Sequence, residues 1–171
     1  MPATKSQDAI TLLKEDHREV KKLFKEFESA KGEGRKQKLA HQICLELIVH
    51  SEIEELIFYP ACEGIVEEDE LKEGYVEHDT AKLLIAEIEA AEEGAKDEFF
   101  DTKVHVLQEE IEHHIEEEEG PGGIFSQARK GELDMDAIGE KLEAKKQELK
   151  ERYEAQGLPR PKLTTMEEVS V

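Results

Sequence analysis

His50-Ser51-Glu52-Ile53-Glu54-Glu55 and, 64 residues later, His114-Ile115-Glu116-Glu117-Glu118-Glu119 are the two stretches on which the fold turns. Each reads His-x-x-x-Glu-Glu, and a histidine and a glutamate four residues apart project from one face of a helix. In both cases that face is the one the neighbouring apolar residues mark as inward. Leu39, Ile43 and Leu47 lead to His50 and Glu54, with Ile57 next on the stripe; Phe100, Val104, Leu107 and Ile111 lead to His114 and Glu118. A second matching pair precedes each stretch. Asp16-His17 falls on Glu77-His78 at a separation of 61 residues, and the segments 23–30 and 84–91 that follow agree in pattern. His17 lies in the seam of Ile10, Leu13, Val20, Phe24 and Phe27, and His78 in that of Leu71, Tyr75, Ala81, Ile85 and Ile88. One two-helix unit used twice predicts an all-α fold, an up-down-up-down antiparallel four-helix bundle in which each half brings two histidines and one glutamate to a shared core.

Breakers place the helices at about 6–30, 35–59, 67–92 and 95–119. Lys31-Gly-Glu-Gly34 ends the first, Pro60 the second and Gly-Pro-Gly-Gly at 120–123 the fourth. Short connections make neighbouring helices antiparallel. At 1.5 Å per residue His17 and His50 then lie about 20 and 22 Å from their shared loop, at one level, whereas His78 and His114 differ by about 7 Å. An additional C-terminal helix is expected over 134–156, capped by Asp134, with Met135, Ile138, Leu142, Leu149 and Tyr153 on one side and the stripe broken by Lys145 and Lys146. It packs on its own bundle or makes a homodimer contact, the former preferred. Residues 1–156 thus read as one domain, and 157–171, Pro-containing and polar, as a disordered tail.

Asp and Glu number 43 against 23 Lys and Arg, a net charge of −20 that repels nucleic-acid phosphates and anionic lipid headgroups. No apolar run approaches the roughly 20 residues needed to cross a bilayer, and MPATKSQDAI lacks a basic segment followed by an apolar one. The expectation is a cytoplasmic monomer or homodimer with no nucleic-acid or membrane partner. Cys44 and Cys62, about 27 Å apart along a helix, cannot pair.

A carboxylate on an inward seam costs several kcal/mol unless paired or bound to a cation, and no stripe offers Lys or Arg beside Glu54 or Glu118. A metal ion offsets that cost. His17, His50, Glu54, His78, His114 and Glu118 are therefore candidate ligands for two neighbouring ions, which a carboxylate can bridge. Imidazole with carboxylate suits iron, manganese or zinc, and the lack of usable thiols argues against a soft metal. A single seam histidine is as often a hydrogen-bonded core residue; six such residues in two registers favour ligands. His113 is the alternative to His114 but lies about 100° off the Leu107/Ile111 stripe. His41 and His105 share faces with charged residues and read as surface. Tyr75, one turn before His78, either contributes to the site or packs in the core.

The segments Glu15-Asp16-His17-Arg18-Glu19, His50-x-x-x-Glu54-Glu55-x-x-Phe58-x-Pro60, Glu77-His78 and His113-His114-x-x-x-Glu118-Glu119 together resemble the hemerythrin-like HHE cation-binding family. Phe125-Ser-Gln-Ala-Arg-Lys130 and Ile138-Gly-Glu-Lys-Leu142 are similar to its single-domain bacterial members, so the resemblance covers about residues 8–153. It implies two iron ions, oxo- or hydroxo-bridged, with Glu54 and Glu118 as bridging carboxylates, the four histidines as terminal ligands, and zinc or manganese as substitutes. Oxygen-carrying hemerythrins use a fifth histidine four residues after the third-helix histidine. Here that position is Lys82, which leaves about two coordination positions open. An open site favours reaction with hydrogen peroxide, O2 or nitric oxide over reversible oxygen carriage. The function implied is oxidative or nitrosative stress or iron-redox chemistry, leaning to an oxidoreductase, with non-catalytic oxygen or iron binding (sensor, storage or carrier) as the alternative. A structural bundle holding zinc or no metal is the third reading.

Overall fold

The computed structural model describes residues 7–167. Helix α1 (Ala9–Ser29) begins at Asp8, whose carboxylate accepts the Thr11 N–H at 2.9 Å and satisfies one of the free donors of the first turn. Residue 6, where the sequence placed the start, lies outside the described residues. Helix α2 (Glu33–Ile53) runs into a π-helical turn (Glu54–Phe58) and the short α3 (Tyr59–Cys62). Helix α4 (Glu68–Ala90) carries Glu68, Asp69 and Glu70 in its first turn, where the helix dipole favours negative charge. A 3₁₀ turn (Gly94–Lys96) precedes α5 (Phe100–Glu119), followed by α6 (Ile124–Lys130) and α7 (Met135–Gln156). No strand occurs among the described residues. Helices α1, α2, α4 and α5 form the up-down-up-down bundle, each packed on the next and α1 closing the ring against α5. Helix α7 lies against α1 and α2 of its own bundle. No helix among the described residues is long and apolar enough to cross a membrane.

Three local departures position the site. The first is the π turn. A proline ring at position 60 has no N–H for the carbonyl four residues back and collides with it in regular α geometry. The ladder widens instead, and the Tyr59 N–H donates to the Glu54 carbonyl, five residues back. In an α-helix Tyr59 would stand about 140° from Glu54; the extra residue in the turn returns it to the inward face. Phe58, Tyr59 and Cys62 are fully buried there, while Ile57, placed on the inward stripe by its spacing, is only partly buried.

The second departure removes the expected 7 Å mismatch. Helix α5 starts at Phe100 rather than near Ala95, because residues 94–96 form a 3₁₀ turn. His114 then lies fourteen residues after the start of α5 and His78 twelve before the end of α4, so the two rings meet at one level.

The third is α6, absent from the periodicity reading. Gly120 to Gly123 turn the chain so tightly that a Cβ on Gly123 would sit 2.3 Å from the Glu117 carbonyl oxygen. Only glycine allows this approach, and it brings Phe125 back over the end of the bundle. Gly139 does similar work in α7, where an added Cβ would lie 2.1 Å from the Gln7 carbonyl oxygen and 2.9 Å from the Ala9 nitrogen. Gly139→Ala is expected to push α7 away from the start of α1 and to cost about 1–3 kcal/mol of stability, as overpacking does; denaturant unfolding indistinguishable from wild type would contradict this packing.

The segment after α7, expected as a disordered tail, returns to the bundle. Leu158 packs on the core. Asp79, fully buried on α4, accepts the backbone N–H groups of Thr164 (2.9 Å), Thr165 (2.6 Å) and Met166 (3.1 Å) and the Thr165 hydroxyl (2.6 Å). Burial raises the Asp79 pKa, but these donors and Lys82 hold it below the ordinary value. The tail has little apolar surface to bury; most of its hydrogen bonds to the bundle go to one carboxylate that belongs to no apolar stripe. Residues 168–171 lie outside the described residues.

Candidate metal centre

The bundle core is polar at one level. His17, His50, His78 and His114 are between 3% and 7% exposed, and Glu54 and Glu118 are fully buried. All four histidines turn Nε2 inward, in two pairs. His17 and His50 approach to 3.2 Å between Nε2 atoms, and His78 and His114 likewise to 3.2 Å. Each carboxylate reaches one histidine of each pair. Glu54 Oε1 lies 2.8 Å from His50 Nε2 and 3.4 Å from His78 Nε2; Glu118 Oε1 lies 3.3 Å from His17 Nε2 and 3.1 Å from His114 Nε2. The six residues that the sequence singled out are thus brought together. They form two groups that can hold an ion: His17, His50 and Glu118, and Glu54, His78 and His114.

Every ring has a carboxylate on its outer side. Asp16 is 3.0 Å from His50 Nδ1, Glu77 is 2.7 Å from His114 Nδ1, Glu55 is 3.3 Å from His78 Nδ1, and Glu119 is 3.5 Å from His17 Nδ1. The pattern explains both repeated dipeptides. The acid before each first-helix histidine serves the histidine across the loop, and the second Glu of each Glu-Glu serves a histidine of another helix. Carboxylates on Nδ1 fix the tautomer and aim the Nε2 lone pair. The repetition of Asp16-His17 in Glu77-His78, and of Glu54-Glu55 in Glu118-Glu119, was the available signal for these four acids.

Two imidazole lone pairs 3.2 Å apart repel unless a cation sits between them. In the protein without metal that cation is a proton. Burial alone would depress the His50 ring, but the Glu54 charge and the bond to Asp16 carry its pKa from 6.5 up to about 10. Burial opposes protonation of His114 too, yet Glu118 and Glu77 hold it well above its usual value. Against the burial penalty, the charge of His114 keeps the Glu118 carboxyl well below the carboxylate range. Both Glu54 oxygens and Glu118 Oε1 are buried with no hydrogen-bond partner. Buried carboxylate oxygens without donors, facing convergent Nε2 atoms, fit a divalent cation of the imidazole and carboxylate class.

The raised His50 pKa has a measurable consequence. Its protonation stabilises the metal-free fold fully below 6.5, and that contribution is lost as pH rises through about 10. Chelator-stripped protein should therefore melt at progressively lower temperature across that window, while affinity for a divalent ion, which must displace the proton, rises. A melting temperature that is flat over the same range would contradict the assignment.

Aromatic rings wall the site. Phe125 of α6 stacks on His17 at 5.7 Å between centroids, and Tyr59 stacks on His78 at 5.4 Å. The Tyr59 hydroxyl donates to Glu118 Oε2 at 3.0 Å and lies 3.4 Å from His114 Nε2. Burial and the charges of Glu118 and Glu54 raise the Tyr59 pKa well above its usual value, so the phenol keeps its proton. Tyr59, not Tyr75, is the tyrosine of the site. Tyr75 is partly buried with its ring edge against Tyr59 at 5.2 Å. Lys82, four residues after His78, turns its ammonium to Glu55 (3.0 Å) and Asp79 (3.4 Å). His113 is exposed and faces Glu117 at 3.0 Å, and His105 and His41 are exposed and paired with Glu109 and Glu89. Cys62 is buried close by, and burial with the charges of Glu54 and Glu118 pushes its thiol up to about 12, so it offers no thiolate.

Beside the four histidines lies a cavity of about 20 Å³, walled by Val20, Leu47, Ile111 and Ile115. It has room for one water-sized molecule.

The comparisons with known proteins point the same way. A protein of Nostoc sp. (strain PCC 7120) described as a DNA nickase is 30% identical over 113 residues, 66% of this chain, and the chain spans 31% of its length. A solved structure of a hemerythrin HHE cation binding domain-containing protein from Mycobacterium kansasii is similar in fold, with a TM-score of 0.73, 19% identity and coverage of 89% of this chain and 95% of that one. The model of the hemerythrin HHE cation binding domain matches residues 8–121, the whole length that carries the six inward residues, and the chain belongs to that family.

Proposed function

We propose that this chain holds two iron ions, one on His17 and His50 and one on His78 and His114, with Glu54 and Glu118 shared between them, and that the pair reacts with hydrogen peroxide, O2 or nitric oxide. The observation that carries this reading is the reach of each buried carboxylate to one histidine of each pair. Iron supplies the redox chemistry toward those molecules. The chain supplies the rest. Asp16, Glu55, Glu77 and Glu119 orient the rings; Phe125 and Tyr59 exclude water from two of them; the Tyr59 hydroxyl, 3.0 Å from Glu118 Oε2, donates its proton to that oxygen. The cavity of about 20 Å³ beside the four histidines leaves space for a small molecule next to the centre. Lys82, committed to Glu55 and Asp79, supplies no fifth ligand, which favours reactivity over reversible oxygen carriage. A net charge of −20 disfavours a phosphate backbone as partner, so the chemistry in the relative's name is not carried over.

The test is anaerobic loading with iron(II), iron counted per chain, and an optical spectrum before and after O2 is added and then swept away. Two irons oxidised without recovery support turnover, with peroxide and nitric oxide as the next reagents. A spectral change that reverses on removal of O2 supports the non-catalytic binder, and a chain that holds no iron defeats both. His105→Ala is the control: its exposed ring lies 3.1 Å from Glu109 on the surface, and its loss should leave the iron count unchanged.

A further inference from the structure

Two lysines tie the outer carboxylates of the centre to the C-terminal part of the chain, one for each histidine pair. Lys146 of α7 pairs with Asp16, which bonds His50 Nδ1. Helix α7 is held in place there by Lys150 on Glu46 (2.8 Å), by the Tyr153 hydroxyl on Glu52 (2.7 Å) and by buried Leu142 and Leu149. On the other side Lys82, 4% exposed, bonds both oxygens of Glu55 (3.1 and 3.0 Å), and Glu55 faces His78 Nδ1. The tail completes this second arrangement. The Thr164 hydroxyl is within 3.2 Å of Glu55 Oε2 and 3.3 Å of Lys82 Nζ, and the backbone from Thr164 to Met166 occupies Asp79, the other partner of Lys82.

We infer that the C-terminal region is a positioning device for the centre, with Lys146 steadying the ion on His17 and His50 and the docked tail, through Lys82 and Glu55, steadying the ion on His78 and His114. This rests on the two-ion reading above. The physical argument starts from the ring: an imidazole aims its Nε2 only as well as its Nδ1 partner is held. A free glutamate would exchange rotamers and turn to water. Lys82 bonds both Glu55 oxygens, and the docked tail reinforces that hold, because the Thr164 hydroxyl adds a donor at Oε2 and the tail backbone fixes Asp79, which keeps Lys82 beside Glu55. Without the tail, the Asp79 and Lys82 charges hydrate and Glu55 loses a donor. The effect is local to one pair, since Asp16 and Lys146 lie on α1 and α7 and share no partner with Glu55 and Lys82.

The test titrates metal-free protein with cobalt(II) alone, under anaerobic conditions, and resolves two binding steps by absorbance. A chain ending at Gly157 and the gentler Thr164→Val and Lys82→Met variants should weaken the same single step, on the order of ten-fold for the truncation and Lys82→Met, and leave the other within about two-fold. Lys146→Met should weaken the other step, and Lys82→Met with Lys146→Met should weaken both. Truncation added to Lys82→Met should bring little further loss, because they act on one carboxylate, and Lys82→Arg should restore the wild-type isotherm. Helical content and melting of each metal-free variant are recorded alongside, and Thr164→Val, which removes one hydroxyl contact, keeps the test alive if truncation unfolds the chain. Single variants that lower both steps alike, or that lower neither, overturn the inference while wild type still takes two cobalt ions. Wild type that takes fewer than two overturns the two-ion reading itself.

Discussion

Glu118→Ala is expected to take the reconstituted chain from two bound ions to at most one. Glu118 Oε1 stands 3.3 Å from His17 Nε2 and 3.1 Å from His114 Nε2, so one carboxylate serves both histidine pairs. In the proposed two-ion centre its removal would delete a negative charge shared by both ions, and in the metal-free protein it also strips His114 of the partner that holds its proton. The Tyr59 hydroxyl loses its acceptor at 3.0 Å, an unpaired buried donor costing about 1–3 kcal/mol. Glu118→Gln separates the two effects. It keeps an acceptor for Tyr59 and the packing of α5 but lacks the charge, so its fold should survive while its metal content falls with that of the alanine variant. Metal analysis after reconstitution decides the matter: two ions retained in either variant would defeat the bridging assignment. Glu54→Ala, with the equivalent reach to His50 and His78, should behave the same way.

Phe125→Ala is expected to lower the melting temperature by roughly 10 °C, from a loss of about 3–5 kcal/mol on truncating a buried phenylalanine in a chain of this size. The ring is 3% exposed, stacks on His17 with planes 9° apart and meets Phe58 edge-on at 5.6 Å. It seals the centre from the side on which α6 closes the bundle. The variant should therefore also admit water to His17 and weaken the ion held there. Melting of the chelator-stripped variant isolates the packing loss from the metal loss. A shift of only a degree or two would mean that α6 contributes little to the fold and that Phe125 is a cover without energetic consequence.

The bundle was legible because its signals are periodic and repeated. The stripes from Ile10 to Phe27 and from Phe100 to Ile111, and the two His-x-x-x-Glu-Glu stretches, each mark a face of a helix. The preference for His114 over His113 followed from the same geometry: one residue is 100° around the helix, enough to separate a buried ring from an exposed one. Periodicity misled where the period changed. It assumed 3.6 residues per turn through Pro60, so it put Ile57 inward and missed Tyr59, which only a π turn brings to the site. It ran α5 back to Ala95 and produced a difference in height that a 3₁₀ turn removes. It left Tyr75 open between the site and the core, and the structure packs its ring edge against Tyr59.

Sequence by itself determined the all-α class, the two-fold repeat, the six inward polar residues and a lysine, not a histidine, four residues after His78. Those properties depend on residue type and local spacing, which a helix converts into a face whatever else the chain does. Only the tertiary structure decided how the six residues pair, which carboxylate serves which ring, why Lys82 faces Glu55 and Asp79 instead of the centre, and where the tail goes. Each of these depends on contacts between residues far apart in the chain, and Asp79 shows the reason. On its own helix it is one polar residue after His78. It becomes a buried anchor only because three backbone N–H groups from more than eighty residues away arrive to satisfy it.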